Sequence, residues 1–97
     1  MKNLADVLEK FAFAPKLNGM QYKVMLIMLS QIERMGEDVA ILTNEMLSRL
    51  TGLHKNHISS TISELVKNGY LNKEKYKGNL FAYTLGEYFS KKEDSEK

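Results

Sequence analysis

A chain of 97 residues, 43% hydrophobic and 27% charged, has the size and balance of one small domain with a thin core. It contains no cysteine, which excludes a disulfide framework and the common structural zinc sites and agrees with a cytoplasmic setting. The net charge is only +2, but residues 43–85 carry six basic against three acidic side chains, while residues 1–42 balance.

No stretch reads as a targeting signal or a membrane span. Met1 to Lys10 mixes charge with apolar residues, and the longest apolar run, Val24 to Leu29, is six residues against the roughly 20 a span needs. Leu4, Val7, Leu8 and Phe11 recur at helical spacing and predict a first helix from about Asn3, its N-cap, to Phe13. Pro15 disfavours helix at Ala14 and ends it. Asn18 and Gly19 open a second helix, expected from about Met20 to Met35. Met20, Val24, Ile27, Met28 and Ile32 form its stripe, and Tyr22, Met25, Leu26 and Leu29 fill most of the remaining surface. A chain this small cannot cover such a helix on every side, so part of it, or of the first helix, is expected to meet a second copy. Its methionines read as adaptable core, and Gly36 is its stop.

Val39 to Leu42 is a short β-type run. Thr43 then N-caps a third helix with Glu45 in its first turn, Met46, Leu47 and Leu50 as apolar positions, and Gly52 as its end. A fourth helix is expected from about Lys55 to Asn68, burying Ile58, Ile62, Leu65 and Val66 and stopping at Gly69. Tyr70 to Lys75 and Leu80 to Leu85 read as strands, joined at Tyr76-Lys77-Gly78-Asn79, where Gly78 and Asn79 tolerate positive φ. The expected organisation is one domain over 1–89 and a charged, frayed tail over 90–97.

The segment Leu42-Thr43-Asn44-Glu45-Met46-Leu47-Ser48-Arg49-Leu50-Thr51-Gly52-Leu53-His54-Lys55-Asn56-His57-Ile58 continues through Ile62 and Leu65 to Leu65-Val66-Lys67-Asn68-Gly69-Tyr70-Leu71. It is a short helix, a glycine turn, an apolar plug at Leu53, an amphipathic helix and a strand. Over residues 20–85 the order resembles winged helix-turn-helix DNA-binding proteins. The fold class this implies is mainly α with a small β-hairpin wing. Helices two to four are similar to the DNA-binding part of phage replication initiators. The whole layout is similar to small centromere-binding partition adaptors that pair with a tubulin-like filament protein. Compact transcription regulators of the multiple-antibiotic-resistance type share the core but carry long flanking dimerisation helices, for which this chain has no evident counterpart. The resemblance implies a homodimer on double-stranded DNA, with a filament-forming or replication protein as a further partner and with repression of its own operon.

The residues themselves point the same way. Without its apolar stripe, the fourth helix offers Lys55, Asn56, His57, Ser59, Ser60, Thr61 and Ser63, which are short donors and acceptors of poor helix propensity. Such side chains let a helix lie deep in a major groove, and Lys55, Asn56 and His57 lie at the helix N-terminus, which favours phosphate, with His54 in the N-cap region. The alternative is a merely solvated polar face. Lys73, Lys75 and Lys77 share one face of a period-2 strand and are placed for backbone phosphates or, at Lys77, the minor groove; the plainer role is protection of an exposed edge. Thr43, Asn44, Arg49 and Asn79 complete the expected DNA-binding set. His54 and His57 lack a third ligand for a metal. The chain has no phosphate loop, nucleophile elbow or paired carboxylates in an evident pocket, so no enzymatic activity and no cofactor are expected. A winged helix that binds only protein is the competing class, with RNA or single-strand binding as a third possibility.

Overall fold

The computed structural model describes residues 3–15 and 17–90. The expected tail, apart from Ser90, lies outside the described residues. In chain order the elements are α1 (Leu4–Ala12), α2 (Gly19–Met35), β1 (Ala40–Leu42), α3 (Asn44–Thr51), α4 (Lys55–Lys67), β2 (Leu71–Lys77), β3 (Leu80–Leu85) and α5, a single turn at Glu87–Ser90. The protein is therefore mainly helical, with a small antiparallel sheet of strand order β1-β3-β2. Among the described residues no helix is long and apolar enough to cross a membrane.

The helices begin where a side chain answers backbone N–H groups that have no helical partner. Asn3 Oδ1 accepts from Asp6 N at 3.2 Å, and Thr43 Oγ1 accepts from Met46 N at 3.0 Å. At the head of α2 the exchange is reciprocal: Asn18 Oδ1 accepts from Gln21 N at 2.8 Å, and Asn18 N donates to Gln21 Oε1 at 2.9 Å. α3 ends at Gly52 with φ 76°, a left-handed conformation that turns the chain sharply into α4.

α2 runs through the centre. Its Val24, Met25, Met28, Leu29 and Ile32 share one core with Phe11, Leu47, Ile58, Ile62 and Leu65 of the other helices and with Ala40, Leu42, Leu71 and Tyr83 of the sheet. Burying each aliphatic side chain of this kind contributes about 1.5–3 kcal/mol. Beyond β3 the chain folds back on α1. Tyr88 packs on Tyr70 with ring centroids 4.8 Å apart and donates its hydroxyl to Lys10 O at 2.7 Å. Phe89 lies 6.2 Å from the Phe11 ring. The rings of Tyr88 and Phe89 are thus engaged within the chain.

Four positions depart from the predicted core. Met46, Leu50 and Val66 are 38%, 44% and 37% exposed, whereas Thr61 is buried at 6%. α3 is only eight residues long and buries one line, Leu47 and Thr51, against the body. Thr51 tolerates burial because its hydroxyl donates to Leu47 O at 2.7 Å. In α4 the buried set is Ile58, Thr61, Ile62 and Leu65, the regular i, i+3, i+4, i+7 stripe. Thr61 fills the i+3 place, and Val66 falls outside the arc.

Candidate nucleic-acid interface

The turn between α3 and α4 is braced by side chains. Leu53 packs against the core, as expected of a plug. Its N–H donates to Thr51 Oγ1 at 3.1 Å, and its carbonyl accepts from Ser48 Oγ at 2.5 Å. His54 is the N-cap of α4, with Nδ1 accepting from Asn56 N at 3.2 Å. That contact commits one imidazole nitrogen to holding the helix start. The His57 ring stands 6.5 Å away, edge-on. Among the described residues no group of three or more His, Cys, Asp or Glu side chains is placed to hold a metal ion.

With its start fixed, α4 turns Ile58, Thr61, Ile62 and Leu65 inward and leaves Lys55, Asn56, His57, Ser59, Ser60 and Ser63 exposed on the opposite side. Ser60 Oγ donates to His57 O at 3.3 Å, so its oxygen keeps acceptor capacity outward. Ser59 is partly engaged, because its Oγ accepts from Asn44 Nδ2 at 3.1 Å. This bond ties the first residue of α3 to the second turn of α4. Asn44 Oδ1 is buried and without a partner among the described residues.

The β2–β3 hairpin flanks this surface. Lys73 pairs across the sheet with Tyr83 and Lys75 with Phe81, while Ala40 and Leu42 of β1 face the same two residues. Residues directly opposite each other point to one face. Lys73 and Lys75 therefore continue the core-facing side of the sheet beyond the body, on the side of α3 and α4. Lys73 Nζ sits 4.2 Å above the Phe81 ring, a cation–π contact that holds its stem in place. The expectation that Lys77 shares this face fails. The register shifts between Lys75 and Lys77, and Lys77 pairs with Leu80, out of phase with the other two lysines. The same pairing lengthens β2 and shrinks the tip to Gly78 and Asn79, of which only Gly78 takes positive φ.

Between the heads of α3 and α4 and the inner side of the hairpin lies a cleft of about 340 Å³, lined among others by Thr43, Asn44, Lys55, Lys75 and Asn79. Two cations face it. Glu45 lines it as well, but its carboxylate is occupied by Arg49 Nη2 at 3.1 Å. Arg49 is thus held in an exposed pair along α3, away from the cleft. The structure brings Thr43, Asn44, Lys55, Lys75 and Asn79 together, sets Asn56, His57, Ser60 and Ser63 along the adjoining α4 face, and leaves Lys77 at the hairpin end. Phe81 and Glu45 enter the site without having been singled out in the sequence. Phe81 was legible only as a strand residue, since its place under Lys73 depends on register. No protein family, curated protein or solved structure matches the chain.

Proposed function

We propose that the chain is a winged helix-turn-helix protein that binds double-stranded DNA and performs no chemistry of its own. One observation carries this reading: the exposed face of α4 offers short polar and basic side chains beside a hairpin that aims Lys75 at the same cleft as Lys55. A helix with short outward side chains approaches base edges closely in a groove about 12 Å wide. On this reading Asn56, Ser60 and Ser63 meet bases. Lys55, Lys75 and His57 meet phosphates on either side, and Lys77 at the hairpin end reaches the neighbouring minor groove. Asn44 acts by holding Ser59 and with it the angle between the two helices. The biological role that suits such a module is a centromere-binding adaptor on repeated sites that also represses its own operon, acting as a two-copy unit. A compact repressor or a replication-initiation protein would use the same surface.

The test is the affinity for a labelled duplex as salt is raised from about 50 to 200 mM. Each phosphate contact adds about −0.9 to the slope of log affinity against log salt, so a few contacts give a slope of roughly −3 to −5 per copy. No retention even at the lowest salt would overturn the proposal and leave a protein-binding module. Equal affinity for single strands would overturn duplex recognition. Sequencing the DNA that co-purifies with the protein separates the roles, since repeats favour partition and a single palindrome favours repression.

A further inference from the structure

The β2–β3 hairpin carries one side chain that neither the core nor the lysine set uses. Tyr76 is 57% exposed, whereas each of the other tyrosines packs against a ring: Tyr22 on Phe11, Tyr70 on Tyr88 and Tyr83 on Phe81. The backbone explains the difference. Lys75 pairs with Phe81 and Lys77 with Leu80, so the register shift falls on Tyr76 and leaves it with no residue opposite. Strands favour tyrosine because its ring packs on a cross-strand neighbour. At a bulge that gain is absent, and the bulge re-aims the side chain it expels. The ring of Tyr76 therefore contributes little to the fold. It stands instead between two lysines, two residues short of the turn at Gly78 and Asn79. Lys75, Gly78 and Asn79, on either side of it, line the cleft shared with the heads of α3 and α4.

We infer that Tyr76 is a specificity-determining residue, distinguishing A·T from G·C pairs in the minor groove beside the site of α4. The inference rests on the DNA reading above and deepens it, since lysine contacts to phosphate carry no base information. Lys75 and Lys77 draw the hairpin end onto the polyanion. A tip made of Gly78 and Asn79 is small enough to approach a groove about 6 Å wide. The solvated ring then gains by lying against the groove wall, as apolar side chains of minor-groove binders do. Its hydroxyl meets the groove floor. There A·T and T·A pairs present acceptors only, which the hydroxyl serves as a donor. A G·C pair adds the N2 amino group of guanine, which projects from the floor and holds the ring away. The contact is uncharged, so it adds affinity without adding to the salt slope.

Two polymer duplexes isolate this groove. Poly(dI-dC) and poly(dG-dC) present the same edges in the major groove and differ by the N2 amino group that inosine lacks, so base contacts from α4 do not separate them. In filter binding with the full chain, the unaltered protein should hold poly(dI-dC) about fivefold more tightly than poly(dG-dC), the scale of one hydrogen bond. Tyr76→Ala should abolish that preference and weaken binding to poly(dI-dC) about fivefold or more, with the slope of log affinity against log salt unchanged. Tyr76→Phe keeps the ring, so it should lose most of the preference and little of the affinity. The position is exposed, and circular dichroism confirms that both variants fold. Equal affinity of the unaltered chain for the two polymers, a preference that survives Tyr76→Ala, or a slope lowered by about 0.9 in that variant would each overturn the inference and leave duplex binding intact. Retention of neither polymer would overturn the DNA reading and this inference with it.

Discussion

The Tyr83 ring is fully buried under the sheet, yet its hydroxyl has no hydrogen-bond partner among the described residues. Burial pushes its pKa up to about 12. A buried hydroxyl without a partner costs about 1–3 kcal/mol, so Tyr83→Phe is expected to be neutral or to stabilise the fold at neutral pH. The folded pKa lies above the unfolded value of about 10. The favourable share of the neutral phenol is therefore complete below about pH 10 and is lost as pH climbs toward 12. Tyr70 is raised in the same direction, by burial first and then by Tyr22, so some alkaline loss should survive the substitution. Urea denaturation at several pH values should show the unaltered chain falling more steeply above pH 10 than Tyr83→Phe; parallel curves would disprove this account. On the outer side of α4, Asn56→Ala or Ser60→Ala should relax sequence preference by about 1–3 kcal/mol per lost base contact. Equal losses on random DNA would reassign those side chains to phosphates.

Among the glycines, the closest backbone approach falls where β3 leads into α5. Gly86 lies against the backbone of Gly69: a Cβ there would overlap the Gly69 carbonyl and stand 2.6 Å from Leu71 N. Gly86 N also donates to Tyr70 O, and Tyr88 N to Gly69 O, each at 3.0 Å. Gly86→Ala must push these two segments apart, which should cost about 1–3 kcal/mol or more and loosen Tyr88 and Phe89 from α1. Gly19→Ala, with no atom within 4 Å of the added methyl, should change stability by no more than about 0.5 kcal/mol. Equal unfolding midpoints for the two variants would show that the close approach carries no weight. None of this was legible in the sequence, because the contact joins segments far apart in the chain. The local signals were legible: Asn3 and Thr43 cap their helices, and Gly36 and Gly52 end theirs, because each of those choices is made within four residues. Apolar periodicity located α4 but placed its inward arc one residue too far along, taking Val66 for core and leaving Thr61 outside. Threonine can serve either side of a helix, and only packing against α2 decides. The bulge beside Lys77 is likewise a matter of cross-strand register, which a single strand's alternation does not contain.

At the scale of the whole molecule, a net charge of +2 generates little long-range attraction. Affinity for a polyanion then depends on where the lysines stand, and the salt slope counts those that act. Lys75→Ala in one copy removes one phosphate contact and should lower the slope by about 0.9. In a unit of two copies every contact is made twice, so the same substitution should lower the slope by about 1.8 on a DNA site long enough for both. Measuring Lys75→Ala on a duplex long enough for two copies and on one long enough for a single copy therefore tests interface and assembly together. The expected result is a drop near 1.8 on the longer duplex and near 0.9 on the shorter one. A drop near 0.9 in both would mean that the copies bind separately, and no drop in either would remove Lys75 from the contact with DNA.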